Sequence, residues 1–486
     1  MARFNVKVFA IICSLCCMAA LFGVVLAADK GDVAYAEESY FADDAALWED
    51  GVFTEYSVGI YWYASGNPIP RRTNPVDKTK PTIIFAHGMK PSEGYKQRDL
   101  LSIYFDTNNT FDANDYDPFE LNPDYYQVLI DAGYNVGHFY WSQIADDDAM
   151  MLADKKVWSS TSMYGTTYVV NDGSGKRVQG DQSLNPNPNK SVAVIFGDAI
   201  RAALGNDYQH NLHLAGHSMG GQLVLATGEY LAVLQEKGAI GSHLVPTQVS
   251  LLDPYFGMTK ISSNEKFAVD HLDGKVIPAG TPLVELACDA METLARHDVA
   301  IDAYGTAFYR VYPTIMKKDA AAAITTRLSK YCVWTYLKSL TNEFSANPAT
   351  SHCMAIDYYF STLSEAEIAK DNYGIEVPSA KASKDYILSL RGKAFVQSLA
   401  EDKAGENPFY MHNSAYTRTD AFYEAVSADY TAYDAPTPLN PRGLDIPVEH
   451  ELNLKLIIPL AVIGGLVLIG DIGIIIVLAV LKKKKV

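Results

Sequence analysis

The segment that most constrains the fold is an apolar run followed directly by a glycine-rich bend and a helical stretch. It reads LHLAGHSMGGQLVLATGEYLAVLQEK, residues 212–237. The apolar run predicts a buried strand, and the spacing from Gln222 to Lys237 predicts a helix that Gly238 ends. The bend needs glycines, because neighbouring chains would pass too close for side chains. It lifts the Ser218 hydroxyl clear of the sheet edge, at a helix N-terminus that favours a developing negative charge.

The same alternation of strand and helix patterns continues on both sides of this bend. Further predicted strands are 81–87, 134–141 and 247–253, and further predicted helices are 124–132 and 191–204. Strands separated by helices indicate βαβ units. The predicted fold class is therefore α/β, with a mostly parallel, doubly wound sheet.

The predicted catalytic-type domain spans residues 37–432, with a polar loop at 171–190. Its stretch from about 256 to 345 is too long for a bare loop and has helical patterns at 284–295 and 320–340. We interpret that stretch as an inserted helical cap or lid.

Both ends of the chain have the composition of targeting segments. Residues 1–36 have a basic start, an apolar stretch and small residues, which predicts a signal peptide cleaved after Ala28 or Ala36. An uncleaved membrane helix is the alternative. The formal net charge is −17 although both ends are basic, so the body is strongly acidic. This argues against nucleic acid and anionic lipid as electrostatic partners.

The C-terminal end predicts a membrane anchor. A Pro-rich stalk at 433–453 leads to an apolar segment, 454–481, long enough to cross a hydrocarbon core of about 30 Å. The basic tail 482–486 is expected to stay in the cytoplasm, with the catalytic domain outside it, at the cell surface or in the secretory pathway. Asp471, inside the apolar segment, is either paired with a partner helix or tolerated in its protonated form.

A cell-wall sorting signal is an alternative to this anchor. The stretch 439–443, LNPRG, lacks the Thr-Gly pair that such a signal cleaves. Lys483 and Lys484 also stand where a dilysine retrieval signal would lie.

The Ser218 hydroxyl needs a base and an orienting carboxylate to act as a nucleophile. In a strand–bend–helix architecture of this kind they follow the serine in the order acid, then histidine. Asp253, at the end of the strand pattern 247–253, is the candidate acid. Its alternative role is that of a turn residue before Pro254, and Asp302 is the rival acid.

The candidate base is His352, in TSHCMAIDYYF, before an aromatic segment. Its alternative role is that of a surface or packing histidine, and His412 is the rival base. His271, His297 and His450 are the other histidines that follow Asp253 in the chain.

GHSMGG, LLDPYFG and SHCMAIDYYF together resemble the pancreatic-lipase-type branch of the α/β-hydrolases. IIFAHGM also resembles the strand of that family that ends in His-Gly. The resemblance covers roughly residues 80–365 and implies oxyanion N–H groups at Met89 and Met219. The sequence departs from the family pattern in three ways. Cys353 follows the histidine, the insert after Asp253 is longer, and no C-terminal lipid-binding β-sandwich is recognisable.

These residues and the resemblance together predict a membrane-anchored, extracytoplasmic serine hydrolase that cleaves carboxylic esters, of lipids or other acyl groups, with no cofactor. Acyl transfer by the same residues and a non-catalytic adhesion protein are the alternatives. No metal site is predicted, since no CxxC pair or histidine cluster is present. The three cysteines of the body, Cys288, Cys332 and Cys353, are an odd number, so one thiol is expected to be free or to pair between chains.

Overall fold

Short apolar runs become strands and the amphipathic runs between them become helices, as the sequence pattern predicts. The computed structural model describes residues 53–89, 124–147, 150–159, 166–257, 259–261, 278–305, 330–337, 352, 355–356, 358–360, 362–363, 368–399 and 414–419. Its strands are β1 (Gly59–Ala64), β2 (Asn67–Arg71), β3 (Thr82–Ala86), β4 (Asn135–Tyr140), β5 (Val169–Asn171), β6 (Arg177–Gln179), β7 (Leu212–His217), β8 (Gln248–Leu252), β9 (Ala300–Gly305), β10 (Val333–Tyr336), β11 (Ala394–Leu399) and β12 (Ser414–Thr419). Its helices are α1 (Asp124–Asp131), α2 (Ser142–Ala145), α3 (Met150–Trp158), α4 (Val192–Leu204), α5 (Met219–Glu236), α6 (Leu283–Arg296) and α7 (Lys384–Ser389).

Ten of these strands form one sheet, in the order β2-β1-β4-β3-β7-β8-β9-β10-β11-β12. The seven central strands from β4 to β11 are parallel to one another. The edges are antiparallel, because β1 pairs with β4 and β2, and β12 pairs with β11. The predicted α/β class with a mostly parallel sheet is confirmed. The predicted polar loop at 171–190 instead contributes to a small separate ribbon, β5 with β6.

Side chains alternate along the central strands and supply two cores, one on each face of the sheet. In β3, Ile84 and Ala86 join the core under α3, α4, α5 and α6, whereas Ile83 and Phe85 face the other core. That second core contains side chains of α1, of residues 355–360 and of α7. Because both faces are covered, the strands are buried throughout, as is typical of parallel sheets.

The prediction of a cap over about 256–345 is wrong for three elements inside that range. Helix α6 packs on α5, and β9 and β10 are central strands of the sheet. The helical pattern at 320–340 also fails at β10, whose four residues are all buried between β9 and β11. Burial on both faces removes the polar alternation that would have identified these strands. Residues 262–277, 306–329 and 338–351 lie outside the described residues, so a cap formed by them stays a prediction.

Among the described residues, no helix is long and apolar enough to span a bilayer. The predicted signal peptide (1–36), stalk (433–453), apolar anchor (454–481) and tail (482–486) all lie outside those residues. They stay predictions. The described residues themselves all fall within one compact unit, residues 38–445.

The first turn of α5 lies directly against the end of β3. A Cβ atom on Gly220 would be 2.2 Å from the Ala86 carbonyl oxygen and 2.6 Å from that of His87. Both obstacles are backbone atoms, so they cannot swing aside as a side chain can. Gly220 therefore sets how closely the helix can approach the sheet.

We expect Gly220→Ala to lower the free energy of unfolding by about 1–3 kcal/mol, the usual cost of overpacking. The measurement is urea unfolding of the full chain. Gly241→Ala is the matched control, because its φ of −69° suits alanine and its new Cβ would meet one backbone atom at 3.2 Å, against 2.2 and 2.6 Å at Gly220. A Gly220→Ala protein as stable as the control would contradict the close packing.

Candidate active site

Ser218 stands between β7 and α5 in a backbone conformation that side-chain-bearing residues rarely adopt. Its φ is 55° and its ψ is −122°. Hydrogen bonds hold it there: its N–H donates to the Leu252 carbonyl, and its carbonyl accepts from the N–H groups of Gly221 and Tyr255. Two of these partners belong to β8 and the chain after it, so strand pairing fixes the strained serine.

The turn after β3 passes beside this serine. A Cβ atom on Gly88 would be 2.8 Å from the Ser218 Cβ, so the absence of a side chain permits the contact. Met89 follows Gly88 and packs against the core under α5. Met219 is buried as the first residue of α5, where helix N–H groups have no intrahelical acceptor. Of the two residues predicted to supply oxyanion N–H groups, Met219 directly follows Ser218. Met89 directly follows Gly88, which lies beside Ser218.

Asp253 and His352 meet in a direct hydrogen bond. The His352 Nδ1 atom is 2.6 Å from the Asp253 Oδ2 atom, and the carboxyl side chain is fully buried. Asp253 follows β8, has a positive φ of 41°, and donates its N–H to the Tyr304 carbonyl in β9. With the carboxylate accepting from Nδ1–H, the Nε2 atom is the ring nitrogen that remains to take up a proton.

His217 links this pair to the serine. It directly precedes Ser218, and its Nε2–H donates to the His352 carbonyl at 3.1 Å. The two imidazole rings are 4.4 Å apart. The structure therefore brings Ser218, Asp253 and His352 to one edge of the sheet, where β7 and β8 end.

The rival acid, Asp302, does not approach His352. Its carboxyl group accepts hydrogen bonds from Ser250, Gln248 and Tyr304 inside the second core. Burial raises its pKa to about 6, against the opposing effect of these hydrogen bonds.

This network extends to the segment that carries the base. Tyr359, seven positions after His352, lies 3.1 Å from Ser250 and 3.2 Å from the His213 Nε2 atom. Burial lowers the pKa of His213 to about 3, so that ring is neutral. The network thus anchors the aromatic segment that follows His352 to the sheet, and Asp302 has a packing role in it.

The other histidines considered from the sequence lie away from the site or outside the described residues. His297 is 2.9 Å from Glu236 at the far end of α5. His271, His412 and His450 lie outside the described residues. Cys288 and Cys332 are both buried, and Cys353 lies outside the described residues. Among the described residues, no group of three or more His, Cys, Asp or Glu could hold a metal ion.

The sequence predicts that His87 packs under the turn after β3 and that His217 braces the bend, but it does not single out Trp141 as the partner of His87. The buried His87 ring donates from Nδ1 to the Gly88 carbonyl and accepts at Nε2 from the Trp141 N–H. The Trp141 indole N–H then donates to the His87 carbonyl at 2.8 Å. Trp141 follows β4, so its place at a strand end on this same edge was the available signal. This closed set of hydrogen bonds fixes the turn that carries Gly88 and Met89.

Comparison with known proteins gives structural likenesses only. No protein-family model and no curated protein matches the chain. Est1E from Butyrivibrio proteoclasticus with bound ferulic acid is similar at 10% identity and a TM-score of 0.26, over 63% of this chain and 96% of its own. An esterase domain from Rhodothermus marinus is similar at 12% identity and a TM-score of 0.26, over 63% of this chain and 97% of its own. A monoacylglycerol lipase from Paleococcus ferrophilus is similar at 11% identity and a TM-score of 0.26, over 63% of this chain and 99% of its own. Scores this low leave the function to be argued from the site.

Proposed function

We propose that this chain is a serine hydrolase of the α/β-hydrolase type that cleaves carboxylic esters. The observation that carries the proposal is the 2.6 Å hydrogen bond between His352 and the buried Asp253, beside the strained Ser218. A serine alone on a bend has many structural roles. A buried carboxylate that orients an imidazole next to that serine is the arrangement that activates a hydroxyl.

In the proposed reaction, Ser218 Oγ attacks the ester carbonyl carbon while His352 Nε2 takes the hydroxyl proton. The Asp253 carboxylate holds the ring with Nδ1 protonated and stabilises the imidazolium. His352 then gives the proton to the leaving alcohol, and an acyl group remains on Ser218. Water repeats the sequence, attacks the acyl carbon and releases the acid and the free serine.

The oxyanion of each tetrahedral intermediate is proposed to lie against the N–H groups of Met89 and Met219. Met219 is at the N-terminus of α5, whose dipole favours negative charge there. One donor of this kind is typically worth about 2.7–4 kcal/mol of transition-state stabilisation. The His87–Trp141 hydrogen bonds keep the first donor in place before substrate arrives.

Lipid or other acyl esters are the proposed substrate class. Two points support lipid esters: the motif resemblance to pancreatic-lipase-type enzymes, and the predicted anchor, which would hold the site close to a bilayer. Acyl transfer to an alcohol would use the same residues. Product analysis with added alcohols distinguishes the two reactions.

We expect Ser218→Ala to reduce kcat/KM for a short-chain nitrophenyl ester by about 10⁵-fold or more, because the acyl-enzyme can no longer form. A fluorophosphonate probe should label the wild-type protein on Ser218 and leave the variant unlabelled. Hydrolysis by the variant at the wild-type rate would overturn the proposal. A folded wild-type protein that the probe does not label would favour the non-catalytic alternative.

Asp253→Asn should lower kcat by about 10⁴-fold with little change in KM, since the amide no longer holds the ring in the required tautomer. The matched control is Asp302→Asn, which alters an equally buried carboxyl in the adjacent strand. We expect it to keep most of the activity. Equal losses in the two variants, measured in steady-state kinetics, would count against Asp253 as the orienting acid.

We further propose that the chain is exported and held at a membrane by residues 454–481, with the catalytic domain outside the cytoplasm. The full chain should fractionate with membranes and resist extraction by high salt and carbonate. A chain ending at residue 453 should be released in soluble, active form. Release of the full chain by high salt alone would exclude a spanning anchor.

A further inference from the structure

We propose that Asp154 is a positioning residue that fixes the loop following Asp253 against the first turn of the helix that begins after Ser218. This inference rests on the function proposed above. The described residues of this loop are 253–257 and 259–261, called the acid loop below. Asp154 lies on α3, and its hydrogen-bond partner is Gln222 rather than Ser218, Asp253 or His352.

The first link joins α3 to α5. The Asp154 side chain is fully buried, and its Oδ1 atom accepts a hydrogen bond from the Gln222 Nε2 atom at 2.9 Å. The Gln222 Oε1 atom accepts from the Trp158 indole N–H, also at 2.9 Å. Gln222 lies one turn after Met219, so this pair of hydrogen bonds fixes the turn of α5 that begins with a proposed oxyanion donor.

The second link is direct packing against the acid loop. A Cβ atom on Gly257 would be only 1.6 Å from the Asp154 Oδ2 atom. The loop backbone therefore lies against the carboxyl group, and any side chain at this position would displace one or the other. Neither Oδ2 nor the Thr259 hydroxyl has a hydrogen bond of ordinary geometry to a described residue, although that hydroxyl is close enough to favour the charged carboxylate.

The acid loop is otherwise held by its backbone at both ends. The Tyr255 N–H donates to the Ser218 carbonyl. The carbonyls of Gly257 and Thr259 accept from the first N–H groups of α6, those of Val284 and Leu283. Asp154 fills the space between these attachments. Its removal would leave the loop free to shift where it follows the orienting acid.

The charge state of Asp154 makes this role dependent on pH. Burial raises its pKa to about 7, although the hydrogen bond from Gln222, the nearby Thr259 hydroxyl and the charge of Lys155 on its own helix favour the carboxylate. The titratable group of the acid loop that interacts with Asp154 is Tyr255, and burial raises the pKa of Tyr255 far above neutrality. The group of α5 that contacts Asp154 is the Gln222 amide, which is neutral. The carboxyl group is thus protonated in mildly acidic solution, and ionisation near pH 7 places a buried negative charge against the loop.

The sign of the stability effect follows from this raised pKa. The folded protein holds the proton more tightly than the unfolded chain, so Asp154 contributes stability at acid pH that is lost as pH rises from about 4 to about 7. Asparagine at this position cannot ionise. Asp302 gives the same dependence of stability on pH in wild type and in Asp154→Asn. The difference in unfolding free energy between these two proteins, followed against pH, therefore isolates the contribution of Asp154.

The first experiment compares Asp154→Asn and Asp154→Ala with wild type in the full-length protein. We expect Asp154→Ala to lower kcat for a nitrophenyl ester about tenfold to a hundredfold with KM nearly constant, because small displacements of catalytic groups have effects of this size. Asp154→Asn should restore most of kcat at pH 6. The ratio of wild-type to Asp154→Asn kcat should then fall as pH rises, with a midpoint near pH 7.

The second experiment tests the contact itself. Gly257→Ala should impair the wild-type background, because its new methyl group meets the carboxyl oxygen. The same change should be better tolerated in the Asp154→Ala background, where that oxygen is gone. Asp371→Asn is the control, since Asp371 is another buried carboxyl whose Oδ1 atom accepts from backbone N–H groups of its own turn, and this change should leave kcat unaltered.

Retention of wild-type kcat by Asp154→Ala would overturn the inference, as would a kcat ratio that does not change with pH. Independent effects of Gly257→Ala and Asp154→Ala would also overturn it. Ser218→Ala separates this failure from that of the proposed function. If Ser218→Ala is inactive while Asp154→Ala is fully active, only the role of Asp154 fails. If Ser218→Ala stays active, the proposed function itself fails.

Discussion

Parallel hydrogen bonding between β3, β7 and β8 is the constraint on which the candidate site depends. In register, Ala86 pairs with Gly216, and His217 pairs with Leu252. Three neighbouring strands therefore end at the same level, and the residue after each strand faces the same edge. Ser218 and Asp253, the nucleophile and acid candidates, directly follow β7 and β8, and His87 leads from the end of β3 into the turn at Gly88. A slip of one register position would separate them and reverse the faces of their strands.

The edge also concentrates backbone strain. Three non-glycine residues of the described chain have positive φ, and two of them are Ser218 and Asp253. Each is held by backbone hydrogen bonds to a neighbouring strand or to the chain that follows it. Strain of this kind costs about 1–3 kcal/mol per residue and persists only where the surroundings impose it. Here the sheet and its two cores supply that rigidity, so the side chains are fixed before any substrate binds.

Buried polar groups support the site from both faces of the sheet. On one face, the network of Asp302, Ser250 and Tyr359 anchors the segment after His352. On the other, the hydrogen bond between Asp154 and Gln222 connects α3 to the helix after Ser218. Both carboxyl groups have pKa values raised by burial, which favours their neutral form inside the protein. In each case a polar contact directs a helical segment that packing alone would hold less specifically.

The sequence by itself determined the α/β class, the strand–bend–helix around Ser218, and the candidates Asp253 and His352, because short apolar periodicity and turn residues are local signals. It favoured Asp253 over the rival Asp302 because Asp253 ends its apolar run, but it gave no contact for either side chain. Only the tertiary structure shows these contacts, with Asp253 against His352 at the edge and Asp302 in the second core. The sequence likewise read α6, β9 and β10 as a cap, because strands buried on both faces lose the polar alternation that marks them. Asp154 carried no local signal, because its contacts with Gln222 and Gly257 join residues that are distant in sequence and meet only through helix packing on the sheet.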